Sequence, residues 1–100
     1  MTGAPDLAQL RVELDELDAE LRDVLRRRLH QCVRIGRYKQ ENDISVMQPD
    51  RVSAVREGAA AYAAAHGLDP DFLRQLYDLI IAEACRLEDQ LMAETGAPRS

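Results

Sequence analysis

A run of thirty-seven residues, Asp6 to Asn42, contains no proline and a single glycine, Gly36. Within it Leu7, Leu10, Leu14, Leu17, Leu21 and Val24 recur at spacings of three and four, the seam of one long amphipathic helix. At about 1.5 Å per residue such a helix is roughly 55 Å long. A compact chain of 100 residues has a radius of gyration of only about 13 Å. The helix must extend past any body its own chain can build, and a leucine seam left in water is a poor state for a folded protein. The simplest remedy is a second copy laid alongside in two-fold symmetry. The expected fold class is all-α, with one long and two shorter helices per chain, intertwined as a helical homodimer.

The remaining punctuation places the shorter helices. "ENDIS" breaks the first pattern, and "VMQPDRV" opens a second helix with Pro49 in its first turn. That helix runs to about Ala65 and stops at Gly67. In "LDPDFL", Asp69 suits a cap and Pro70 the first helical position. Phe72, Leu73, Leu76, Tyr77, Ile80, Ala84, Leu87 and Leu91 carry the third helix to about Ala93. There is no repeat and no linker, so residues 1–100 read as a single helical domain, ordered over about 6–93, with frayed ends in "MTGAP" and "TGAPRS".

Composition narrows the function classes. The net charge of −5 gives no general basis for nucleic-acid binding, and there is no reading-helix motif. No apolar run resembles a signal peptide or reaches membrane-spanning length. Cys32 and Cys85 fall in apolar stripes without metal-type spacing and read as reduced core thiols of a cytoplasmic protein. His30 follows an arginine run and His66 closes a helix, neither with a ligand partner at useful spacing. Tyr38, Tyr62 and Tyr77 read as packing, and "AAAYAAAH" as helix-forming sequence.

Three polar positions interrupt the apolar stripes. Beyond Leu21 and Val24 the seam continues through Arg28, Cys32, Ile35 and Lys39. Arg28 and Lys39 lie three turns apart, about 16 Å along the axis. Lys39 is the single lysine among thirteen lysines and arginines. On the third helix Glu88 shares a stripe with Tyr77, Ile81, Ala84 and Leu91. Charges on inward faces are costly without partners or water. One reading is structural: a solvated face for Arg26, Arg27 and Arg34, and a buried pair between Glu88 and Arg28 or Lys39. The other is a pocket whose two or three cations take a small polyanion such as a dicarboxylate. Arg11 precedes Arg28 by 17 residues, about 25 Å, too far to share one small ligand within a chain. In an antiparallel dimer it enters the partner's pocket, giving two composite sites.

With these residues in view, the chain resembles the small all-helical (type II) chorismate mutases from about Leu7 to Met92. The segments that carry the likeness are "LRVELDELDAEL", "RRRLHQCVRIGRYK", "PDRV" and "HGLDPDFLRQLYDLIIAEACRLEDQL". The resemblance implies an intertwined three-helix dimer and a Claisen rearrangement of chorismate to prephenate without a cofactor. It implies that Arg11 from the partner, Arg28, Lys39 and Arg51 bind the two substrate carboxylates, with Lys39 also approaching the breaking ether bond. Glu88 takes the place of the family's second ether contact, a Gln or in some members a Glu, and must be protonated to donate there. The chemistry suits the set: a pericyclic step needs a folded diacid and stabilisation of negative charge on the ether oxygen.

The departures concern the ring's 4-substituent. Val52 stands where typical members hold the 4-hydroxyl with an acid, Gln48 where an aspartate is typical, and Ala84 at a serine position near one carboxylate. Isochorismate pyruvate lyases and the 4-amino-4-deoxychorismate mutases of antibiotic pathways also carry a valine after the arginine. The second group is the better likeness, through "VMQPDRV" and "LYDLIIAEACRLEDQL". It implies conversion of 4-amino-4-deoxychorismate to 4-amino-4-deoxyprephenate. The alternatives are a mutase acting on chorismate, a lyase releasing pyruvate from isochorismate, and a helical dimer with no catalytic role.

Overall fold

The computed structural model describes residues 4, 6–45 and 48–95. Among them there are three α-helices and no strands: α1 Leu7–Glu41, α2 Pro49–Ala65 and α3 Pro70–Thr95. Apart from Ala4 and Thr95, the expected frayed ends lie outside the described residues, as do Val46 and Met47 of the segment before α2.

Each helix starts and stops for a local reason. The Asp6 carboxylate accepts the Gln9 N–H at 2.8 Å, satisfying one of the donors that a helix start leaves open. At the other end of α1, Asp43 takes a left-handed φ of 55°, and the Ile44 N–H donates back to the Lys39 carbonyl at 2.8 Å. Asn42 Nδ2 adds a bond to the Tyr38 carbonyl at 2.8 Å. This is a Schellman closure built on aspartate, which tolerates the left-handed region better than most side chains. Pro49 occupies the start of α2. Its end repeats the closure with Gly67 at φ 73° and the Leu68 N–H on the Ala63 carbonyl at 2.9 Å. The Asp69 carboxylate then accepts the Asp71 N–H at 2.9 Å and starts α3.

The chain divides into two compact units at Gln31 and Cys32. In the first, the described part of α1 has no buried residue. Its leucine seam is exposed from Leu7 to Val24, with Leu21 63% exposed. In the second, α2 and α3 pack together and exposed ion pairs cross between them: Arg56 to Asp78 at 2.9 Å and Arg74 to Glu57 at 3.0 Å. Among the described residues the buried apolar ones are Ala60, Ala63 and Ala84, and no large side chain is fully buried. Small residues let helices approach closely, but they remove little apolar area from water. Most of the large apolar surface of the described chain therefore stays uncovered by the chain itself, Phe72 and Leu79 of α3 included.

Candidate active site

Among the described residues of the second unit one charged side chain is buried, Glu88, 7% exposed. It projects from α3 one turn after buried Ala84 and packs against Gly36, in the C-terminal part of α1. The contact is close: a Cβ at Gly36 would lie 2.9 Å from Glu88 Cγ. Half-buried Lys39 follows one turn after Gly36, in the last turn of α1, where the helix dipole favours a cation. The Schellman closure bonds the Lys39 carbonyl and fixes the backbone from which this side chain leaves.

Burial pushes the Glu88 carboxyl up from the ordinary carboxylate range, the Lys39 charge pulls it back, and Asp89 pushes it up again. Desolvation is the largest of the three, so the neutral acid is favoured relative to a glutamate in water. The neighbouring Cys85 thiol is also pushed up, chiefly by burial and then by Glu88 and Asp89, while Lys39 opposes. Cys32, on α1, acts on Cys85 as well. Both cysteines are free thiols. A cation beside a carboxyl inclined to keep its proton offers one point charge and one hydrogen-bond donor. That pair suits an oxygen that gains negative charge during a reaction.

The other expected residues stand elsewhere on the helices. Gln48 is the N-cap of α2 in extended geometry; its backbone carbonyl accepts the Val52 N–H at 3.1 Å, and its side chain makes no cap bond. Exposed Arg51 and half-buried Val52 follow in the first turn. Arg11 and Arg28 belong to the first unit, Arg11 exposed and Arg28 half-buried. Arg26, Arg27 and Arg34 are exposed, and Arg26 pairs with Asp23 at 2.7 Å. Arg28 thus differs from its neighbours in the same arginine run, as the helical register requires. The structure therefore sets Glu88 against Gly36, with Lys39 one turn further along α1 and Ala84 one turn earlier on α3, and Gln48, Arg51 and Val52 follow one another at the head of α2.

Two details differ from the sequence pattern. Ile35, counted on the inward face with Arg28 and Lys39, is 43% exposed, and Gly36 occupies the buried position. Counting apolar residues pointed to Ile35 because glycine carries no hydrophobic signal. The signal available for Gly36 was its isolation inside a long helix, where glycine is unfavourable without a packing reason. Tyr38 and Tyr62, read as packing residues, are also mainly exposed, and Tyr62 stacks on His66 with ring centroids 3.9 Å apart. Among the described residues no group of three or more His, Cys, Asp or Glu is placed to hold a metal ion. No described helix is long and apolar enough to cross a membrane.

The family model "Chorismate mutase type II" matches residues 10–89, a span that takes in Lys39, the head of α2 and Glu88. A 4-amino-4-deoxychorismate mutase of Streptomyces pristinaespiralis is 54% identical over 92 residues, 92% of this chain and 71% of the relative. A second protein of that name, from Streptomyces venezuelae, is 54% identical over 93 residues, 93% of this chain and 90% of the relative. No solved structure matches the chain significantly. A family match across four-fifths of the sequence, from α1 to α3, means that this chain belongs to the type II chorismate mutase family.

Proposed function

We propose that the protein is an isomerase that converts 4-amino-4-deoxychorismate to 4-amino-4-deoxyprephenate by a Claisen rearrangement. The observation that carries the substrate is the 54% identity, over more than nine-tenths of this chain, to two proteins of that name. The product suits the building of an aminated phenylalanine-type unit for an antibiotic. Free thiols at Cys32 and Cys85 suit the reducing cytoplasm.

The working form is a homodimer. A leucine seam with Leu7 60% and Leu17 60% exposed gives a second copy of α1 an apolar face to cover. Arg11 on that face then enters the partner's site, and residues 1–100 act as one catalytic domain with two composite sites per dimer. In each site Arg28, Arg51 and the partner's Arg11 hold the two carboxylates of the substrate as guanidinium forks. This folds the flexible ether so that the carbon atoms to be joined face each other. As the C–O bond breaks and the C–C bond forms, charge grows on the ether oxygen. Lys39 meets it as a point charge, and protonated Glu88 donates a hydrogen bond while keeping its proton. Ala84 leaves room beside one carboxylate. Gln48 accepts from the 4-amino group, and apolar Val52 offers a 4-hydroxyl no partner.

The test offers the pure protein chorismate, isochorismate and 4-amino-4-deoxychorismate and identifies the products by mass. Conversion of the amino compound well ahead of chorismate is the expected result. Equal rates on both would make it a general chorismate mutase. Pyruvate from isochorismate would make it a lyase, and no turnover of any of the three would leave a non-catalytic dimer.

A further inference from the structure

Gly36 is the one buried residue among those described in α1, and its backbone gives no reason for a glycine. It lies within a regular helix, where alanine is the better residue. The reason lies across the helix contact. A Cβ at Gly36 would stand 2.9 Å from Glu88 Cγ, 3.4 Å from Cδ and 3.6 Å from Cβ. The last two distances are close to ordinary carbon contact and the first is well inside it. The three atoms nearest to such a methyl group all belong to the Glu88 side chain, so this side chain, which can turn about its own torsions, is what the methyl displaces first.

We infer that Gly36 is a positioning residue: the hollow it leaves in α1 seats the Glu88 side chain and aims its carboxyl at the reacting ether beside Lys39. The inference rests on the reading of Glu88 as an ether-oxygen donor. It adds a separate requirement, that the acid reaches its place only because residue 36 has no side chain. The same hollow keeps Glu88 buried, and burial is the main reason its carboxyl is pushed up. The groups acting on that carboxyl are Lys39 from α1 and Asp89 from α3, with Cys85 one turn away on α3. A change at Gly36 alters none of them.

The experiment compares the unaltered enzyme, Gly36→Ala, Glu88→Ala and the double variant, with 4-amino-4-deoxychorismate as substrate and thermal unfolding as a second readout. Displacement of a donor by about 1 Å costs up to ~100-fold in turnover, so Gly36→Ala should lower kcat by about 10- to 100-fold and leave KM within about threefold. Because Glu88 donates only while protonated, kcat should fall as it ionises at higher pH, and in Gly36→Ala this fall should move to lower pH, because a carboxyl turned out of the hollow loses its burial. In the Glu88→Ala background the added Gly36→Ala should leave kcat unchanged and raise the Tm, since the clash is gone and the helix gains an alanine. Equal fractional losses in both backgrounds, or an unmoved pH profile, would overturn the inference and leave Gly36 a packing residue. An unchanged kcat in Glu88→Ala would remove the role of Glu88, and with it any seat for Gly36 to provide. A drop in Glu88→Ala with none in Gly36→Ala would overturn the positioning role alone. Should Gly36→Ala fail to fold, recovery on adding Glu88→Ala supports the seating of one side chain by the other, and failure to recover overturns it.

Discussion

The two parts of α1 solve opposite problems. Up to Gln31 the helix is regular, capped by Asp6 and leucine-rich, and none of its described residues is buried. From Cys32 onward it has fewer large apolar residues, yet it contains Gly36, which packs on α3 and seats a carboxyl. The first part has apolar surface without cover; the second has a buried polar group that gains from a nearby cation. Apolar area drives association in a non-directional way. A buried carboxyl is costly unless it is paired, hydrogen-bonded or neutral, and a protein keeps such a group where its chemistry is used. On the proposed function the leucine part serves assembly and the Gly36 part catalysis. The comparison fails if changes in the catalytic part disturb assembly, or if changes in the leucine part leave the proposed dimer whole.

The largest effect is expected at Lys39. Loss of one donor to a developing oxyanion costs about 10²- to 10³-fold in turnover, and Lys39→Ala should lower kcat by that order. Its Tm and dimeric mass should stay near those of the unaltered protein. Lys39→Arg sharpens the test. A guanidinium still attracts a carboxylate but is wider and planar, so kcat should fall more than binding weakens. A variant that loses stability in proportion to activity would return Lys39 to the structural role that the sequence also allowed.

The next effect belongs to the leucine part. Leu14 is 55% exposed in the single chain, and in the proposed dimer each Leu14→Glu substitution counts twice. A buried unpaired carboxylate costs several kcal/mol, roughly 3–5 where a partner is missing. Leu14→Glu should therefore run as a monomer at low micromolar concentration and lose turnover, because each site then lacks the partner's Arg11. Complementation probes the same point without disrupting the interface. Arg11→Ala and Lys39→Ala, each inactive, are mixed and allowed to exchange subunits. About half of the dimers are then mixed and each has one intact site, so about a quarter of full turnover returns. No recovery would place Arg11 and Lys39 in the same chain's site, and an Arg11→Ala protein that keeps its turnover before mixing would place Arg11 outside the site altogether.

Most of the helical frame can be read from sequence, because its determinants are local. Pro49, Gly67, Asp69 and Pro70 stand at helix borders and act within a few residues of themselves. Arg28 was separable from Arg26, Arg27 and Arg34 by register alone, and it is the one arginine of that group that is half-buried. Glu88 was legible as a carboxyl inside an apolar stripe. Gly36 was not, because its reason is a side chain on another helix, and no periodicity within α1 reports it. The closure at Asp43 was missed for a different cause: "ENDIS" marked a break, but a left-handed aspartate has no strong local signature. The grouping of Gln48, Arg51 and Val52 followed directly from their places in one helical turn.

The smallest expected effect tests that turn. Val52 is half-buried at the head of α2, and its N–H is bonded to the Gln48 carbonyl at 3.1 Å. Its side chain is free to change without removing a backbone bond. An aspartate there gains from the helix N-terminus and gives a 4-hydroxyl the acceptor that valine withholds. In the proposed site a protonated 4-amino group, with three donors, uses the Gln48 amide oxygen and backbone carbonyls, so it gains less. One added hydrogen bond contributes about 1–1.5 kcal/mol, close to a tenfold factor. Val52→Asp should therefore raise kcat/KM on chorismate relative to 4-amino-4-deoxychorismate by about tenfold or less, with Tm little changed. Measuring both substrates on one preparation cancels errors in active concentration. If the ratio instead moves toward the amino compound, the new carboxylate pairs with the ammonium more strongly than it serves the hydroxyl. Val52 would then owe its place to packing, and substrate choice would rest on Gln48.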